Sequence, residues 1–239
     1  DRKAQEKTAI ERMTAEMPRI GLTPDVGGVV EKSFKRFVKL LNAHLERHLY
    51  LFGGRPCLAD FALAGQLSQM LKDPTPAKII EKDGPFVKAW CEFMDDPKPG
   101  GPFEPLEECL DTLTPIFKKE VCITFLPWAA ANLEAAYAKN AMVEVSLGKD
   151  AVFHAPLRSS ARSFRDVRRK FSYARDDENA AAFFDAVGAT EYLERPPRQE
   201  IVGDGEDGGE TRRSGRGGRP RRRRRGGGGR NRGQASSDN

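Results

Sequence analysis

The 239-residue chain has only four cysteines, three histidines, four tyrosines and two tryptophans. Nowhere does it approach the ~20 uncharged apolar residues that a membrane-spanning helix needs. No signal-peptide pattern opens it, so a soluble chain without a membrane partner is expected. Cys57, Cys91, Cys109 and Cys122 lie apart in apolar segments with no C-x-x-C pair, too few and too scattered to staple a chain of this length. They read as reduced core thiols, which points to a cytoplasmic address. The sequence opens at Asp1 rather than Met, and an N-terminal portion is expected upstream.

Apolar residues nearly vanish after about residue 202, where 12 of the 23 glycines fall. Burial there cannot offset the entropy of ordering the chain. The charge divides at the same place. From Pro196 onward there are 12 arginines and 6 acids, against 28 basic and 29 acidic side chains in residues 1–195. The net +5 is thus +6 in the tail and −1 in the rest. Two parts are expected: a folded domain over 1–195, and a disordered tail over 196–239 that is first acidic and then Arg/Gly-rich. A domain of that length can bury about 70 percent of its unfolded surface.

Within the domain the helical period dominates. Residues 2–17 carry Ile10, Met13 and Met17 at spacings of three and four, then break at Pro18 and Gly21. Thr23 and Pro24 start a second helix whose apolar stripe, including Val26, Val38, Leu41 and Leu45, runs to the Gly53-Gly54 stop. A third begins near Cys57, apolar all round, and is expected to be a buried central helix. Its Gly65 costs ~1 kcal/mol relative to Ala unless another backbone packs there. Asp73-Pro74-Thr75-Pro76 ends it. Short helices follow around 77–82 and 85–94, burying Phe86, Trp90 and Phe93, then a loop over 96–101. A helical pair spans 103–119 and 121–140, with Pro127 at a kink or a helix start. The period changes only at 142–154, where Gly148-Lys149-Asp150 forms the three-residue loop of a small β-hairpin. Helices resume over 158–174 and 176–187, and Tyr192 and Leu193 tuck the end down.

The stretch Tyr50-Leu-Phe-Gly-Gly-Arg-Pro-Cys-Leu-Ala-Asp60 carries a recognisable pattern. It resembles the start of the central helix in the all-helical C-terminal domain of glutathione transferases, where a Ser or Thr caps the helix and an Asp answers three residues on. Such a box satisfies orphan helix donors inside a core. Asp60 holds the answering position and Cys57 replaces the hydroxyl with a weakly accepting sulfur. Asp73-Pro74-Thr75-Pro76, the Trp90 helix ending at Asp96-Pro97, and Phe125-Leu126-Pro127-Trp128 with Ala131-Asn132 extend the likeness over about 8–193.

The resemblance implies an all-α bundle of that C-terminal type with one hairpin inserted at about 142–154. In the family, glutathione sits on an N-terminal thioredoxin-like domain that holds the catalytic Ser, Tyr or Cys. Nothing in this chain reads as that domain. The resemblance therefore implies no catalytic or cofactor-binding residue here, glutathione as cosubstrate of a longer parent, and three roles for this part: docking to the thioredoxin-like domain, one wall of an apolar substrate pocket, and a share of a homodimer. The first helix lines the cleft in that family, which makes Ile10, Met13 and Met17 the candidate wall. The same stripe also reads as plain core or dimer interface. Similar helical domains serve as assembly modules in translation factors and aminoacyl-tRNA synthetases, the alternative reading.

Other chemistry-bearing residues have simpler accounts. His44 and His48 are four apart, the spacing that lets two imidazoles share a metal. In His-Leu-Glu-Arg-His, however, Glu46 is not where the zinc-protease motif needs it, so a solvated helix face without metal is expected. Asp60 could be a buried general base, but cap duty already employs it. Cys57 at a helix N-terminus would have a somewhat lowered pKa if exposed, and it lacks a paired base.

The tail has a separate signature. Arg212, Arg213, Arg216, Arg219, Arg221, Arg222, Arg223, Arg224, Arg225, Arg230 and Arg232 fall between Thr211 and Gly233 with no acid among them. The segment resembles RGG-type tails of RNA-associated proteins. Flexible guanidiniums can each meet a phosphate and release counterions, so RNA or another polyanion is the expected partner. The segment lacks aromatics, which leaves stacking weak. The five acids of 200–210 could instead fold back on it, and the Arg run could serve as a nuclear-localisation signal.

Overall fold

The computed structural model describes residues 2–18, 21–147 and 150–194, all within the unit spanning Asp1–Arg198. The expected Arg/Gly tail and the hairpin tip Gly148-Lys149 lie outside the described residues. The element order is α1 (Arg2–Glu16), α2 (Pro24–Leu45), α3 (Leu58–Met70), α4 (Pro74–Asp83), α5 (Pro85–Phe93), α6 (Leu106–Ile116), a π-helical segment (Phe117–Phe125), α7 (Leu126–Ala138), β1 (Val143–Leu147), β2 (Asp150–His154), α8 (Arg158–Ala174), α9 (Glu178–Val187) and α10 (Thr190–Leu193). The fold is all-α with one antiparallel hairpin.

Helix α2 organises the first core. Val38, Leu41 and Leu45 recur at the spacing of one helix face and pack with Tyr50, Leu67, Ile80, Val87 and Trp90. Further back, Phe37 and Leu40 reach a second cluster of Cys109, Leu113 and Ile116 on α6. A third core, of Leu126, Ala129, Leu133, Phe164, Phe171, Phe183 and Leu193, joins α7 to α8, α9 and α10. The hairpin closes the gap through Val145 and Val152, which meet Val26 and Trp128.

Several expectations are corrected. Helix α2 ends at Leu45, eight residues before Gly53-Gly54, because the chain turns through Glu46–Leu49 to carry Tyr50 into the core. The glycine pair serves a different turn. Gly53 has φ +100 and Gly54 lies so close to Gly101 that a Cβ would sit 2.7 Å from its Cα. Only glycine permits both. The Gly54 carbonyl accepts from the Gly100 and Gly101 amides, and Gly54 N–H donates to Pro102.

Helix α3 is not buried all round. Asp60, Ala64 and Leu67 face the core, while Leu58 (79% exposed) and Phe61 (50%) face outward. No neighbour packs on Gly65, whose ideal Cβ would meet nothing within 4 Å. Phe86 is exposed rather than buried, although Trp90 is core. The segment 73–76 ends α3 by beginning α4: the Asp73 carboxylate accepts from the Thr75 amide at 2.9 Å and Pro74 fills the first turn.

Residues 106–138 form one continuous helical path rather than a pair, with the π-helical segment between α6 and α7. Pro115 and Pro127 each remove a donor from the i→i−4 ladder at the edges of this segment. Its Glu120 is buried and accepts from Ser33 Oγ and Arg36 Nε on α2, so the buried charge is paired. The hairpin register pairs Leu147 with Asp150, leaving a two-residue loop instead of three.

The acid-capped start of α3 is as expected on its Asp side. Asp60 is fully buried, and its Oδ2 accepts from the Cys57 amide at 2.9 Å. Its Oδ1 accepts from the Leu51 amide at 2.8 Å, a partner outside the capping box that ties the Tyr50–Gly54 turn to the helix. The return arm to the Cys57 sulfur is loose, and the Asp60 amide also donates to the Cys57 carbonyl at 3.1 Å. Replacing Asp60 by Ala strands two buried amides, so Asp60→Ala is expected to destabilise the fold by about 3 kcal/mol. A thermal melt checks this, and an unshifted midpoint would refute the bracing role.

Candidate functional site

An apolar concavity lies between the end of α1, the first turns of α2 and the α3–α4 junction. It encloses about 670 Å³. Met17, Leu22, Val30, Phe34, Met70 and Ile79 supply an almost wholly apolar lining. Gly27 keeps it open, because a Cβ there would meet nothing within 4 Å. The charged residue on its wall is Glu31, which accepts from Lys35 one turn along. That hydrogen bond, then the Lys35 charge, holds the Glu31 carboxyl below its ordinary range. Among the described residues the lining has no cysteine, histidine, lysine or arginine, so what they offer is burial for an apolar body. Of the three expected wall residues, Met17 lines the groove. Ile10 and Met13 are exposed on α1, outside the lining.

Residues 8–93 match the family described as glutathione S-transferase, C-terminal domain. All the groove residues fall inside that segment, while the hairpin and α6 to α10 lie beyond it. No curated protein gives a significant match to the chain. No solved structure does either.

A second constellation sits behind the first core. His44 and His48 are not on a solvated helix face, as their spacing suggested. His44 is fully buried and its ring stacks on His48 with centroids 4.7 Å apart. The last turns of α2 run under the N-terminus of α6, so the residues opposite are polar. Thr112 Oγ1 lies 2.8 Å from His44 Nδ1 and donates to the Cys109 carbonyl, which makes Nδ1 the donor in that contact. His48 Nδ1 lies 2.7 Å from Glu104 Oε2, and the Cys109 thiol points at the same oxygen from 3.7 Å.

The donor atoms of His48, Glu104 and Cys109 all lie within 4.8 Å of one another. This nitrogen, oxygen and sulfur set suits a zinc-like ion. The Cys109 thiol is pushed up to about 11 by burial and by Glu104, so an ion would first have to displace its proton. Sequence reading missed Glu104 and Cys109 as neighbours because they come from the segment after α5, with no local spacing to His48.

None of the thiols is tuned for attack. Burial pushes Cys91 up to about 11 and raises Cys57 and Cys122 as well. Cys57 therefore shifts opposite to the expectation for an exposed helix N-terminus, because desolvation and the Asp60 carboxylate outweigh the terminal amides. The arginines from Arg212 to Arg232 lie outside the described residues.

His44 has a definite acid response. Burial first, then the charge of His48, lowers its pKa from 6.5 to about 4, and its Nε2 has no partner at hydrogen-bonding geometry. The native chain therefore binds one proton fewer than the unfolded chain between these values. The stability contributed by neutral His44 is complete above pH 6.5 and is lost as pH falls toward 4, with a slope of up to ~1.4 kcal/mol per pH unit. His44→Gln should flatten the urea-derived stability profile over pH 6.5–4 by about one proton. Parallel profiles for the variant and the parent chain would rule out this titration.

Proposed function

We propose that this chain is the substrate-side helical part of a glutathione-transferase-like protein. In this reading, the groove buries the apolar body of an electrophile, and glutathione is held by a thioredoxin-like domain elsewhere in the parent. The observation that carries it is the groove itself, almost wholly apolar and without a thiol or a cation among its described residues, within the segment similar to that family's C-terminal domain. Glutathione has two carboxylates, and the Glu31 carboxylate on the wall would repel them. When present, glutathione supplies the thiolate that attacks the electrophilic carbon. The residues of this chain bind, exclude water and orient by shape. The outward faces of α1 and of Leu58 and Phe61 on α3 are natural docking faces for the thioredoxin-like domain or a second copy.

The test uses a neutral apolar fluorophore, N-phenyl-1-naphthylamine. Gly27→Leu should fill the groove and Val30→Asp should charge its wall. Each is expected to weaken fluorophore binding at least about tenfold, as loss of an apolar site of this size implies, with unchanged melting temperature. Equal binding by both variants would refute the reading.

A second reading is a partner-binding module with a polyanion-binding tail and no chemistry of its own. Its support is the run of 11 arginines without an acid between 211 and 233. Deleting residues 211–239 should lower the KCl concentration at which the chain elutes from heparin, because the lost arginine contacts no longer release counterions. Elution of the truncated chain at the same KCl concentration as the full chain would contradict it.

A further inference from the structure

Residues 1–195 are nearly neutral in sum, yet their charge is not evenly spread. Helix α8 carries six basic side chains and one acid in 17 residues. Two of its basic neighbourhoods are already occupied. Arg168 is buried, donating to the Tyr192 carbonyl at 2.7 Å and lying over the Phe164 ring. At the helix end, Arg175 is matched by Glu194 and Asp185.

The remaining arginines are different. Arg158, Arg162, Arg165 and Arg169 are all exposed. Their spacing of four, three and four residues confines them to an arc of about 60° along about 16 Å of helix. Among the described residues, Arg169 meets Asp166 at 3.7 Å, and no carboxylate lies in ion-pair range of Arg158, Arg162 or Arg165. Beside them, α7 ends at Lys139 in a left-handed conformation, φ 58. Lys139 and Tyr137 border, with Arg158, Arg162 and Arg165, a groove of about 340 Å³ whose lining has no acid among the described residues.

Aromatic surface lies beside the stripe and just past its C-terminal end. Tyr137 is 60% exposed and accepts from Arg165 through its hydroxyl at 3.0 Å. Tyr173, 66% exposed, lies one turn beyond Arg169 on the same side of α8. Exposed guanidiniums in a row with open aromatic faces are what a single strand needs, since phosphates pair with the first and bases stack on the second. An anionic membrane is a poorer match, because the apolar face of α8, with Ala161, Phe164 and Phe171, is already spent on the protein core.

We infer that the Arg158–Arg162–Arg165–Arg169 face of α8, with Lys139, Tyr137 and Tyr173, is a binding site for single-stranded nucleic acid, built into the folded body and independent of the Arg/Gly tail. It supplies the aromatic surface that the tail lacks.

The experiment uses the whole chain, tail included, and a fluorescein-labelled 12-nucleotide oligouridine titrated at several KCl concentrations. Each single-strand phosphate contact contributes about 0.7 to the slope of log affinity against log salt. The triple substitution R158Q/R162Q/R165Q should therefore reduce that slope by about 2, while the Lys triple at the same positions keeps it. Tyr137→Ala and Tyr173→Ala should each weaken binding about fivefold or more with the slope intact, as loss of a stacked base does. Since these side chains are exposed, melting temperatures should not move. An unchanged slope in the Gln triple would overturn the site and leave the tail as the whole of any binding. An equal loss of slope with a 12-base-pair duplex would overturn the assignment to single strands.

Discussion

One buried carboxylate holds the first half of this molecule in register. Asp60 accepts the Cys57 amide at the start of α3 and the Leu51 amide in the preceding turn, so a single side chain fixes both the direction of the helix and the path that leads into it. That path is then clamped from the other side. Gly53 bridges to Phe103, Gly54 receives the 100–102 segment, and the Tyr50 hydroxyl donates to the Lys98 carbonyl. The loop after α5 can approach only because Gly54 has no side chain: a Cβ there would sit 2.7 Å from the Gly101 Cα. The same loop delivers Glu104 to His48. A cap that looks local therefore positions a polar cluster more than forty residues away.

The polar groups inside the fold are matched in a consistent way. Glu120 is met by Arg36 and Ser33, Asn132 exchanges two hydrogen bonds with the backbone of Leu157, and Asp60 takes two amides. Glu120 and Asn132 link elements distant in sequence, and for all three a buried group left without its partner would cost more than its bond contributes. His44 departs from the pattern. It is held neutral by burial and stacked on His48, with one ring nitrogen unmatched, as Trp90 Nε1 and His154 Nε2 also are, and its lowered pKa makes it an acid-sensitive point of the interior.

The open surfaces and the thiols are kept apart. Among the described residues the groove along α1 and α2 is almost wholly apolar and has no thiol, and the thiols, buried apart from the partly buried Cys57, are shifted away from ionisation. The long basic helix α8 uses its apolar face to build the third core and its Arg168 to secure the chain end, leaving its other arginines to solvent. Helices α3 and α8 are thus committed on one face and open on the other, and the open faces differ in character: apolar on α3, cationic along α8.

The periodic elements were legible in the residues. The 3.6-residue spacing of Val38, Leu41 and Leu45, the Asp at the third position of α3, and the change to a two-residue period at Val143 and Val145 are local patterns, and a local pattern determines a local conformation. Sequence could also show that the arginines of α8 share one side, since that follows from spacing alone. The tertiary structure decided what those sides face. Leu58 and Phe61 read as core and are exposed, while His44 reads as surface and is buried. Glu104 and Cys109 carry no signal of meeting His48 until the loop is clamped by Gly54. Hydrophobicity and spacing dictate how a segment coils, but burial and pairing depend on which other segments arrive. That is determined by contacts between residues far apart in the chain, which no local window contains.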